Sequence, residues 1–157
     1  MSSAIVEPRL FLENLLLPVT VGPVREEGRL AYPVRDDYAV SWSSHLDVAD
    51  VAARLLAERD VTGTVSVGAL PGLIGADIAE GFSTHLGHPV TFEALSPDKY
   101  GELITPLFGA GAAGLVVDSY HHRRTQPDEV IPRGQSAHKL LGISPRSVQQ
   151  WLKDLNM

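Results

Sequence analysis

The clearest periodic pattern in the chain lies between residues 44 and 58. Val48, Val51, Ala52, Leu55 and Leu56 recur at steps of three and four, which gathers apolar side chains on one stripe of an α-helix. Asp47 is read as the cap that opens this helix, and Asp50 adds negative charge at the positive end of the helix dipole. A second helical stripe joins Ile74, Ile78, Ala79, Phe82 and Leu86, and Gly87 and Pro89 close it. Ser96-Pro97 opens a third helix that keeps its period through Tyr100, Leu103, Ile104, Leu107 and Phe108, with a kink or break predicted at Pro106. The apolar residues 115–120 read as helical, residues 136–141 as a short helix ended by Gly142, and Ser144-Pro145 as the opening of a last amphipathic helix carrying Val148, Trp151, Leu152 and Leu155.

Between these helices the pattern changes to short extended pieces. Residues 4–6 before Glu7-Pro8, 29–32, 39–42, 63–68 and 90–94 read as strands bounded by glycine and proline. Residues 9–17 are too densely apolar for a solvent-facing helix and predict a buried turn or short helix. The rest of 18–44 predicts loops, and 121–134, with Pro127 and Pro132, a surface loop. The alternation predicts an α/β fold, a small mixed sheet with helices packed on it, in one domain spanning residues 1–157.

Composition narrows the function classes. The chain has 157 residues, no cysteine, a formal net charge of −6, 44% hydrophobic and 20% charged residues. Thiolate chemistry and disulfides are therefore absent, disorder is disfavoured, and no basic track points to nucleic acid. The N-terminus lacks a basic leader region, and no window approaches the run of about eighteen uncharged apolar residues of a bilayer span. A soluble cytoplasmic protein is expected, with no membrane and no nucleic-acid partner.

Several residue groups have the chemistry for a site. Residues 109–114 (GAGAAG) match the letters of a dinucleotide-binding glycine loop, with Asp128 or Glu129 at the distance of a ribose-binding acid. The preceding residues carry helical period and Pro106 rather than a buried strand, so a hinge or a close helix contact is the preferred reading. Ser44, His45 and Asp47 have the residue types of a catalytic triad, but adjacency in sequence does not create that geometry. No histidine spacing suits a metal, and no metal site is expected. Tyr32, Tyr38, Trp42, Tyr100 and Tyr120 fall near segments without a strong core face, which makes them candidate cavity walls. His121 stands in a basic tract, HHRR, suited to an anionic group.

Taken in order, R9-x-F11-x-E13-N14-L15, residues 46–52 (LDVADVA), residues 76–79 (ADIA) with 86–90 (LGHPV), and residues 141–147 (LGISPRS) resemble the C-terminal half of NmrA-like proteins. These are atypical short-chain dehydrogenase/reductase relatives in which an NAD(P)-binding half precedes a smaller substrate lobe. Ile74 stands where the family often places a threonine cap. The resemblance implies that Phe11 and Asn14 line a pocket between the two halves. It also implies that the glycine-rich nucleotide-binding half has no counterpart here, so no cofactor is assigned to this chain.

The resulting expectation is a small-molecule-binding protein, acting as a cofactor-independent enzyme of isomerisation, cyclisation or dehydration. His45, Tyr100, Asp118 and Tyr120 are its candidate acid/base groups, and Phe11, Asn14, Tyr32, Trp42 and His121 its candidate substrate contacts. The alternatives are the substrate half of a split NAD(P)-dependent oxidoreductase, with the nucleotide-binding half on a separate chain, and a non-catalytic regulatory or structural module. A lobe without its usual neighbour leaves strand edges and apolar surface uncovered, so a homodimer is expected, built on the N-terminal segment and the helix carrying Val48 and Leu55.

Overall fold

The computed structural model describes residues 3–157. Strand β1 (Ala4–Pro8) lies parallel to β3 (Gly63–Val67), with Ala4 opposite Gly63 and Pro8 opposite Val67. Strand β2 (Arg29–Tyr32) lies parallel to β4 (Thr91–Ala94), with Arg29 opposite Thr91. The α/β class is as expected, and the strands form two parallel pairs. Its mixed character survives in isolated bridges, since Val40 pairs antiparallel with Leu73 and parallel with Glu129. Residues 39–42, expected as a strand, make only these bridges.

Helix α1 (Pro18–Glu27) occupies a stretch expected to be loop. Its sequence, with Gly22, Pro23 and several β-branched residues, has poor helix propensity. Burial compensates, because Thr20 and Val24 are fully enclosed, and Gly28 ends the helix in the left-handed region at φ 64°. Ahead of α1, residues Leu12–Leu16 form the expected buried turn, a single 3-10 stretch. Leu10, Leu12 and Leu15 point into the main core, so this part of the N-terminal segment supplies no uncovered apolar surface for the expected dimer.

Helix α2 (His45–Ala57) begins earlier than its pattern indicates. Ser44 is the cap, accepting from the Asp47 N–H at 3.0 Å, while Asp47, in the first turn, reaches back to the Ser44 N–H at 3.2 Å. The pair is a capping box, and it corrects the reading of Asp47 as the cap itself. Helix α3 (Gly75–Leu86) carries half of the same device, Asp77 accepting from the Ile74 N–H at 2.9 Å, and ends at Gly87 with φ 74°. Isoleucine offers no acceptor for the other half.

Helix α4 (Pro97–Arg124) is capped by Ser96 and broken at Gly109, φ 79° and ψ 160°, rather than at Pro106. Proline removes one N–H, but glycine alone adopts that left-handed backbone without strain. By length and composition α4 is apolar enough to cross a membrane, contrary to the sequence expectation. Buried Tyr100, Ile104, Ala113 and Tyr120 fasten both of its halves to the core, while Leu107, Phe108 and Leu115 remain exposed. Helix α5 (Ala137–Leu141) follows the Ser136 cap, and α6 (Val148–Asp154) begins after Ser147, later than Ser144-Pro145 suggests.

Two apolar clusters result. The larger joins the 3-10 turn, β2, α3, α4 and α6 around Tyr32, Phe82 and Trp151, and the smaller joins Val51, Val65, Val67, Ala137 and Leu141 beside β1 and β3.

Candidate functional site

After β1 the chain turns at Leu10, and residues 41–44 run alongside. The Leu12 N–H donates to the Ser43 carbonyl at 2.9 Å, and the Ser43 N–H donates to that of Leu10 at 3.0 Å. This pairing sets Phe11, Glu13 and Asn14 beside Ser43, Ser44 and His45, at the carboxyl end of β1. In parallel sheets that is the end where ligands collect.

The Phe11 and His45 rings meet edge to face, with centroids 4.5 Å apart. Glu13 Oε1 accepts from the His45 backbone N–H at 3.0 Å and from the Trp151 indole N–H at 3.1 Å. Its second oxygen, Oε2, and the Ser43 hydroxyl are both buried with no hydrogen-bond partner among the described residues. A buried polar atom left unpaired costs about 1–3 kcal/mol, and such atoms call for an explanation such as a ligand group or an ordered water.

Behind this corner lies an aromatic cluster. The Asn14 side chain lies near the Tyr32 hydroxyl, which hydrogen-bonds that of Tyr120. The Tyr32 ring packs against Trp42 at 5.6 Å, Tyr100 at 5.5 Å and Tyr120 at 5.6 Å between centroids. Burial raises the Tyr32 hydroxyl well above its ordinary value, reinforced by the neighbouring tyrosines. Burial likewise raises Tyr100 and Tyr120. These hydroxyls stay protonated near neutral pH, so they act as hydrogen-bond donors and orienting groups rather than as bases.

The fold thus links Phe11 to His45, and Asn14 to Tyr32, Trp42, Tyr100 and Tyr120. Asp118 and His121 stand outside this cluster. Asp118 is exposed on α4, and His121 Nε2 lies 3.0 Å from Asp98 Oδ1 near the end of the same helix. Glu13 and Ser43 were not singled out as site residues in the sequence. Glu13 stands in the quoted F-x-E-N motif, yet only the fold shows that its carboxylate is enclosed and half-satisfied.

At the start of α2, Asp47 is 2% exposed. Its Oδ1 accepts from the Arg146 backbone N–H at 3.0 Å and from Nη1 at 2.8 Å, and the same guanidinium reaches Asp50 and Asp154, each at 2.8 Å. The carboxylates, Asp154 first, raise Arg146 above its ordinary range. This knot ties α2 to α6 and spends Asp47 on structure rather than on a triad.

A dinucleotide cradle needs a strand, a glycine turn with open backbone, and a helix N-terminus. Residues 109–114 lie within α4, which only Gly109 interrupts, with helix on both sides. The other glycine-rich stretch lies between β3 and α3, but its glycines face their own chain. A Cβ at Gly68 would meet the Ser41 carbonyl oxygen at 2.3 Å, one at Gly72 the Val130 side chain at 2.7 Å, and one at Gly75 the Phe92 ring at 2.3 Å. Neither stretch fits a pyrophosphate.

No protein-family model matches the chain, and no curated sequence does. Solved structures do. A nucleoside-diphosphate-sugar epimerase from Staphylococcus aureus superposes with TM-score 0.73 at 15% identity, over 98% of this chain and 52% of its own. The triphenylmethane reductase of Citrobacter sp. gives TM-score 0.73 at 15% identity, over 99% and 54%. The NADPH-dependent quinone oxidoreductase of Escherichia coli, complexed with NADPH, gives 0.71 at 16% identity, over 100% and 54%. The chain spans about half the length of these structures. Likeness at such identity speaks for the fold alone, and by it this chain has the α/β fold found in about half of each of these epimerase and reductase structures.

Proposed function

We propose that this chain is the substrate-side half of an NAD(P)-dependent oxidoreductase or epimerase, and that a nucleotide-binding half on a separate chain docks on the outer edge of β1. The observation that carries the reading is that edge. Among the described residues β1 has a strand on one side only, and Ile5 is 60% exposed. Parallel strands normally lie inside larger sheets covered on both faces. The neighbours bound to NADP(H) and NADPH extend over roughly as much chain again, and the glycines of this chain do not form a cradle of their own. The substrate contacts are Phe11, Asn14 and His45, with Glu13 Oε2 and the Ser43 hydroxyl as the polar groups awaiting a partner. The setting is cytoplasmic.

The test has two parts. NADPH titrated into the 157-residue chain alone is expected to show no saturable change in nicotinamide fluorescence. The tagged chain, purified from its native cells, is expected to coelute with a polypeptide that does bind NADPH, and Ile5→Lys is expected to abolish coelution. Saturable binding by the chain alone, or coelution unaffected by Ile5→Lys, overturns the proposal.

A second reading, a cofactor-independent binding protein, is favoured by one observation: a cleft of about 1010 Å³ is lined entirely by residues of this chain. That cleft lies along β3 and α5 rather than at the corner beside β1.

A further inference from the structure

We infer that this cleft is a binding site of its own, for an amphipathic organic acid whose apolar body also carries a hydroxyl or carbonyl group. The inference is independent of the proposal above, because none of the corner residues Phe11, Glu13, Asn14, Ser43 and His45 lines the cleft. Its apolar wall includes Val51, Val67, Leu73, Ile143 and Val148, and its volume is at the upper end of the usual range for small-molecule sites.

Three features define the ligand. Ser66 lies on the wall, fully buried, and its hydroxyl has no hydrogen-bond partner among the described residues. Ser136 beside it, joined through a backbone bridge, is already satisfied, donating to the Arg133 carbonyl at 2.8 Å and accepting from the Lys139 N–H at 3.2 Å. Ser66 is therefore the group left to meet a polar atom of a guest.

The second feature is charge. Arg146 at the cleft is neutralised by Asp47, Asp50 and Asp154. Arg133 and Lys139 are exposed at the rim, and no ion pair of the described residues involves either. The third is polarity across the mouth. Asp77 and Glu80 come from α3, whereas the free cations come from the segment entering α5 and from α5 itself, so an acid group is directed toward Arg133 and Lys139 and away from α3.

Isothermal titration with 10-hydroxydecanoate, decanoate and methyl 10-hydroxydecanoate tests the assignment. One equivalent of 10-hydroxydecanoate is expected to bind, with decanoate about tenfold weaker for want of one hydrogen bond. Ser66→Ala should make the two acids equal while melting no lower than the parent, because it removes an unpaired hydroxyl. The Arg133→Ala/Lys139→Ala double variant should weaken both acids about tenfold and leave the ester unchanged. Leu107→Ser, on the exposed apolar face of α4, should alter nothing. Absence of saturable 10-hydroxydecanoate binding at millimolar concentration, a preference for it that survives Ser66→Ala, an ester as tight as the acid, or binding lost in Leu107→Ser would each overturn it.

Discussion

At the scale of single residues, the tyrosines and Asp47 bear the sharpest consequences. The raised Tyr32 and Tyr120 hydroxyls favour the neutral form in the folded chain. A group whose folded value lies above its unfolded one contributes stability that is complete below the unfolded value, near pH 10, and lost as pH rises toward the folded value. The tyrosine contribution to stability is therefore expected to hold flat through neutral pH and fall above about pH 10. Phenolate absorbance at 295 nm should show a late component that appears only with loss of helical circular dichroism. Tyr120→Phe removes one partner of the buried hydroxyl pair and should cost about 1–2 kcal/mol in urea unfolding. Asp47→Ala breaks both the capping box and the contact with Arg146, and should cost about 3 kcal/mol. Arg146→Ala in the same background should add little, because the two residues share one network.

The elements show where sequence was informative and where it was not. Helices α2 and α3 were legible because each carries one apolar stripe, though in α2 only Val51 of that stripe is buried and Leu56 is 78% exposed, and Gly87 marks an end with its own backbone geometry. Helix α1 was not, since its propensity is poor and only the enclosure of Thr20 and Val24 makes it helical. The start of α6 was misplaced because Asp47, remote in sequence, takes the Arg146 N–H. The same division holds for the site. Aromatic residues announced themselves by type, whereas the unpaired oxygens of Glu13, Ser43 and Ser66 exist only after folding. The break in α4 yields a test at this scale. Gly109→Ala places a side chain at φ 79° and should cost about 1 kcal/mol or more. Pro106→Ala, in a segment that stays helical, should be neutral or stabilising, as read from paired urea melts.

For the whole molecule, the outer edge of β1 is the surface on which the proposed assembly rests. In isolation the chain is expected to self-associate through it at micromolar concentration, and Ile5→Lys to return a monomer in sedimentation velocity runs. A monomeric parent chain would remove the argument. The exposed Leu107, Phe108 and Leu115 on α4 offer a competing surface, so Leu107→Ser is the control that should leave the oligomer intact.

The two parallel pairs also govern how the chain reaches its structure. Each early strand meets a partner roughly sixty residues further along, and the two spans overlap, because β2 is made before β3 and must wait for β4. During synthesis at about 5–20 residues per second, β1 is made several seconds before β3, its partner in the fold. A strand that waits for its partner is open to wrong pairing in the nascent chain, and a chaperone that shields residues 4–8 would act on yield before it acted on activity.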